Sequence, residues 1–172
     1  PIFFLLTFLL SWTLWLPVGL LAPKLFLLTV IPGMWAPTIS AILLTGLAEG
    51  KAGIGVFLGR LLKWRVGFKW YLVVLFGTAV IAYAAVGINL FFGGDIPEIS
   101  LPGGTPREAW LIVLPIVFFV NFFFGGPLAE DIGWRGYILS KLKKRTNALN
   151  ASLIIGIVWA LWHVPFFIFP EG

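Results

Sequence analysis

The chain has 172 residues, of which 60% are hydrophobic, 17% aromatic and only 11% charged. A soluble globular domain carries about 25% charged residues, so this composition excludes one. The net charge of +5 raises nucleic acid as a partner, while the absence of cysteine excludes disulfides, thiolate chemistry and cysteine-ligated metal.

The first predicted element is "IFFLLTFLLSWTLWLPVGLL" (2–21), the length a helix needs to cross a bilayer. It lacks a basic leader and a small-residue cleavage site, so it reads as a span and not as a cleavable signal. After a turn around Pro23 and Lys24 comes a second span, roughly 25–48, which Pro32 and Pro37 are expected to bend. "EGKAGIGVFLGRLLKWRVGFKW" (49–70) is too charged to cross and reads as a partly amphipathic loop. Its "GIGVFLG" lacks the strand and spacing of a phosphate loop. A third span covers 70–92, a polar Gly- and Pro-rich loop 93–108, and a fourth span begins near Trp110. The fifth is "LNASLIIGIVWALWHVPFFIF" (149–169). Asn89 and Asn121, polar within spans, are expected to hydrogen-bond between helices.

These runs are continuously apolar, without the period-two alternation of a barrel strand. The expected fold class is therefore all-α: a polytopic membrane helix bundle with about five transmembrane helices and a cytoplasmic amphipathic loop. Residues 1–172 read as a single membrane domain. Ten of the twelve cations fall in two segments: Lys51, Arg60, Lys63, Arg65 and Lys69, then Arg135, Lys141, Lys143, Lys144 and Arg145. Such clusters between spans orient a membrane protein and meet anionic lipid, which argues against nucleic acid. Loops 49–69 and 135–147 are thus expected in the cytoplasm, with the N-terminus, and the chain's end outside. A bacterial plasma membrane is the expected location.

Of seven acids, Glu49, Asp95, Glu98, Glu108 and Glu171 lie in loops or at the end. Glu130 and Asp131 instead close an apolar run, "WLIVLPIVFFVNFFFGG", that has no ionisable group. His163, the chain's single histidine, lies inside the fifth span. Ionisable groups at such depth are costly and by default signal function. Asp131 and Arg135 are one helical turn apart and can pair, leaving Glu130 about 100° around the helix. A carboxylate desolvated at the membrane edge suits a general base or acid near neutral pH. Trp159 stands four residues before His163, so its indole could orient the imidazole.

A bland reading competes. Acids and bases at a helix end often only mark the interface, and a lone histidine among aromatics is more often packing than catalysis. What favours a site is the conjunction: the embedded acids and the only histidine lie on consecutive spans. The zincin pattern HExxH is absent, and one histidine with two acids makes a thin metal site. No cofactor is expected, and zinc is not favoured.

"AEDIGWRGYIL" resembles the first motif, EExxxR, of the CPBP family, the CAAX proteases and bacteriocin-processing enzymes also called Abi proteins. "IVWALWHVPFF" is similar to its second motif, FxxxH, with Trp159 in place of Phe. "GRLLKWRVGFKWYLVVL" is also typical of bacterial members. The resemblance implies a bundle of membrane helices with an active site sunk below the cytoplasmic surface. It implies that Glu130 activates water, that His163 helps orient that water, and that Asp131 and Arg135 support the site in the family's second Glu and Arg positions. The family's third motif, a His and an Asn on a later helix that stabilise the oxyanion, does not occur before Gly172. The chain is therefore expected to be an N-terminal portion of the domain, incomplete for catalysis. The implied partner is a peptide or a membrane-protein segment within the bilayer. Two other functions fit the composition: a non-catalytic scaffold or bacteriocin-immunity protein of the same fold, and part of a proton-coupled transporter.

One geometric point stays open. A straight fourth helix puts Glu130 about 30 Å from the outer face, whereas His163 lies only about 10 Å from the outer end of the fifth. They meet if the chain breaks at "GGP" (125–127) or if the fifth helix continues past Gly172.

Overall fold

A computed structural model describes residues 2–97, 101 and 104–169. Glu98, Glu171 and the expected outside end at Gly172 lie beyond the described residues. The helices are α1 (Ile2–Leu21), α2 (Phe26–Met34), α3 (Ala36–Gly59), α4 (Phe68–Phe91), α5 (Trp110–Phe124), a π-helix (Pro127–Ile138), α6 (Leu139–Leu142), α7 (Ala148–Trp162) and α8 (Val164–Ile168). Short 3₁₀ turns cover Pro23–Leu25, Arg60–Leu62 and Arg107–Ala109. Every regular element among the described residues is helical. Four stretches, Ile2–Leu21, Pro23–Leu62, Phe68–Phe91 and Arg107–Phe124, are long and apolar enough to cross a membrane; Ala148–Trp162 is apolar but shorter. The protein is an all-α polytopic membrane protein.

The second span breaks at Trp35, between the two prolines expected to bend it. The boundaries differ from the sequence expectation in three other places. Residues 49–62, expected as a loop, are helical: the backbone kinks at Gly50, whose φ of 66° suits glycine, and then resumes. Lys and Arg are good helix formers, so charge there bears on where the segment sits and not on its backbone. Likewise 135–142 is helical, and only 143–147 is a connection. The fifth span is not continuous, because it breaks at His163.

The described residues fall into two compact units, Pro1–Gly55 with Ile112–Gly172, and Val56–Leu111. In the second, Asn89 donates to the Asp95 carbonyl at 2.9 Å, a local bond and not the expected bond between helices.

In the first unit the buried residues of α1 are Phe3, Thr7, Ser11, Trp15 and Gly19, spaced by four and hence on one face. Small residues in this stripe let neighbouring backbones approach. Trp15 and Trp162, both fully buried, pack with ring centroids 4.9 Å apart. Ser11 Oγ accepts from Trp162 Nε1 at 2.7 Å and donates towards the Thr7 and Gly33 carbonyls at 2.9 and 3.1 Å. One hydroxyl thus joins α1, α2 and α7.

Candidate active site

The first half of the site is built by the π-helix. The chain bends at Gly125, and Pro127 follows at a helix start, where its missing N–H costs nothing. Hydrogen bonds then step by five residues, as when Leu139 N–H donates to the Trp134 carbonyl. Such wide turns are rare and often mark functional positions. They rotate less per residue than the 100° of an α-helix, so Glu130 and Asp131 are closer in direction than the sequence reading supposed.

Two contacts fix this helix against the start of α3. Thr38 Oγ1 donates to the Leu128 carbonyl at 3.0 Å. Gly133 lies so close that a Cβ there would fall 2.4 Å from the Pro37 carbonyl carbon and oxygen. Glu130 belongs to the buried face and is 3% exposed. Asp131 and Arg135 pair with each other on the outer side, their side chains 38% and 63% exposed.

The second half comes from the break between α7 and α8. Asn147 caps α7, its side chain accepting from Asn150 N–H at 2.8 Å. At the other end Pro165 has no N–H to give to the preceding turn, and the helix closes tightly. His163 N–H bonds the Ala160 carbonyl at 3.2 Å, and Phe166 N–H bonds the His163 carbonyl at 3.0 Å. An unbroken α-helix would send those two N–H groups to the Trp159 and Trp162 carbonyls. Both carbonyls find other donors: Trp12 Nε1 takes the Trp162 oxygen at 3.1 Å, and His163 Nδ1 takes the Trp159 oxygen at 2.8 Å. A carbonyl cannot donate, so Nδ1 carries a hydrogen, and in the neutral form of the ring the lone pair is at Nε2.

Trp159 joins the halves. Its Nε1–H donates to Glu130 Oε2 at 2.7 Å across 29 residues of sequence. Its ring meets the His163 imidazole edge-to-face, centroids 5.0 Å apart, and Trp162 flanks the same imidazole at 4.8 Å. Glu130, Trp159 and His163 are therefore brought together. Asp131 and Arg135 are not part of that cluster. The sequence reading had the Trp159 indole acting on the imidazole, whereas its N–H goes to Glu130. It also missed Ser11, Trp12 and Trp162, which pin the helix break. The signals were a serine in an apolar span and a tryptophan adjoining the histidine. Trp134 Nε1, four residues after Glu130, is buried with no hydrogen-bond partner among the described residues. No group of three His, Asp or Glu side chains among the described residues is placed to share a metal ion.

Residues 112–171 match the family model described as "Type II CAAX prenyl endopeptidase Rce1-like". That stretch contains Glu130, Asp131, Arg135, Trp159 and His163. Over 170 residues, 95% of its length, the chain is 26% identical to "CAAX prenyl protease 2" of Methanococcus maripaludis. Over these residues the chain is thus similar to CAAX prenyl endopeptidases. This agrees with the CPBP resemblance carried by the two motifs. The chain spans 61% of the length of that archaeal relative.

Proposed function

We propose that the protein is a glutamate-dependent intramembrane endopeptidase. The observation that carries this reading is the Trp159 indole, whose N–H holds the buried Glu130 carboxylate while its ring packs on the His163 imidazole. Peptide hydrolysis needs a base for water and a developing oxyanion stabilised in a dry site. Glu130 takes one proton from a water whose remaining O–H is oriented by His163, and the hydroxide attacks the scissile carbonyl. The proton on Glu130 then passes to the leaving amine as the C–N bond breaks. In this reading the oxyanion is stabilised by the family's third motif, expected beyond these residues.

In this reading Asp131 and Arg135 steady the helix that carries Glu130. No metal is required, and zinc is not favoured: coordinating Glu130 would remove the base, and the indole already occupies one of its oxygens. The substrate is a peptide or a membrane-protein segment, reached from the bilayer, and the relative's name makes a prenylated CAAX peptide the first to test. The segments 49–69 and 135–147 are proposed to face the cytoplasm, with the site opening to that side of the plasma membrane.

The experiment is cleavage of an internally quenched CAAX peptide, with and without a prenyl group, by the full gene product. Glu130→Gln keeps the shape but cannot take a proton. It is expected to lower cleavage at least about 100-fold, the scale of general-base catalysis, without loss of membrane insertion. Chelators are expected to leave the parent active. Parental cleavage by the variant would remove Glu130 as the base. Proton-coupled uptake lost in the variant, with no proteolysis in either form, would point to a transporter.

A further inference from the structure

We propose that Trp159 is the positioning residue of the site, its indole N–H holding one oxygen of Glu130 while its backbone carbonyl holds Nδ1–H of His163. The inference rests on the reading of Glu130 as the base and concerns how that base is aimed.

An indole nitrogen only donates, so its 2.7 Å bond engages Oε2 as an acceptor. No other described residue bonds Glu130, which leaves Oε1 for a second partner. Gly126 lies on the Oε1 side, and even a Cβ at that position would stay 4.0 Å from Oε1. On the other group, the Trp159 carbonyl takes the Nδ1 hydrogen and leaves Nε2 as an acceptor. Each group is thus left with an acceptor, Oε1 on Glu130 and Nε2 on His163. On the proposed reading these two acceptors take the two hydrogens of the attacking water, whose lone pair stays free for a carbonyl carbon.

A packing role would read differently. The packing tryptophans of this unit, Trp15 and Trp162, are fully buried, whereas Trp159 is 39% exposed. Its main polar contact reaches a carboxylate on another helix and not its own core. A phenylalanine would fill similar space but has no N–H to give, so removing the donor alone is the decisive change.

Two measurements on the full gene product test this. The first is the indole ¹H–¹⁵N resonance of Trp159, assigned by its disappearance in Trp159→Phe. It is expected to shift upfield when Glu130→Leu removes the acceptor. An unmoved resonance would overturn the bond, and with it the proposal, whatever Glu130 does in catalysis. The second is site-specific replacement of Trp159 by 3-benzothienylalanine, which keeps the bicyclic shape and lacks the N–H. Losing a hydrogen bond to a charged group is expected to lower kcat about 10- to 100-fold with KM within about twofold. Trp159→Phe is expected to show the same split. Parental kcat in the isostere, or an equal rise in KM, would overturn the positioning role. If Glu130→Gln retains cleavage, the base assignment has failed, and the resonance still decides whether Trp159 holds the carboxylate.

Discussion

At the scale of single residues, the Asp131–Arg135 pair and the Glu130–Trp159 bond differ in weight. Arg135 is exposed and Asp131 half-buried, and surface ion pairs contribute roughly 0.2–1 kcal/mol. In a double-mutant cycle on detergent-solubilised protein, Asp131→Ala and Arg135→Ala are expected to couple by less than about 1 kcal/mol. A coupling above about 2 kcal/mol would mean that lipid desolvates the pair and that it supports the site strongly. The pair was legible in sequence because a four-residue spacing places side chains together in almost any helical register. The indole–carboxylate bond was not. It joins positions 130 and 159 on separate helices, and spacing along a chain carries no information about which faces of two helices meet. The tautomer of His163 was equally hidden, since it depends on one carbonyl freed by a helix end.

At the scale of elements, apolar run length predicted the membrane helices well and their interruptions poorly. Charge in 49–62 and 135–142 suggested loops, yet charge reports where a segment sits and both stretches are helical. The "GGP" break does occur, at Gly125, but the five-residue hydrogen-bond step beyond it has no sequence signature. The packing that fixes this π-helix can be tested at Gly133. Gly133→Ala puts a methyl 2.4 Å from the Pro37 backbone, which cannot yield as a flexible side chain would. Overpacking of this kind costs about 1–3 kcal/mol, so a lower Tm in detergent is expected, together with reduced cleavage as Glu130 shifts. Gly55→Ala is the control, because nothing lies within 4 Å of a Cβ there, and its Tm should equal or exceed the parent's, since alanine is the better helix former. Equal Tm values for both variants would show that the π-helix and α3 are not held in close contact.

At the scale of the whole molecule, the absence of cysteine from these 172 residues lets topology be read with single introduced cysteines. Single cysteines introduced at Lys63 and Lys144 are expected to react with an impermeant maleimide only in inverted vesicles. One at Asp95 is expected to react in intact cells. The reverse pattern would place the two basic segments outside and overturn the proposed access from the cytoplasm. The indole tether described above also has a consequence for activation entropy. A free glutamate side chain gives up about 1.5–2 kcal/mol of rotational freedom when it is fixed in one pose. Here folding has already fixed it, because packing of α7 against α1 sets Trp159, and Trp159 sets Oε2. The ordering is complete before any substrate arrives, so it does not recur in each turnover. Cleavage rates measured over temperature should then give a less negative activation entropy for the parent than for the chain lacking the indole N–H.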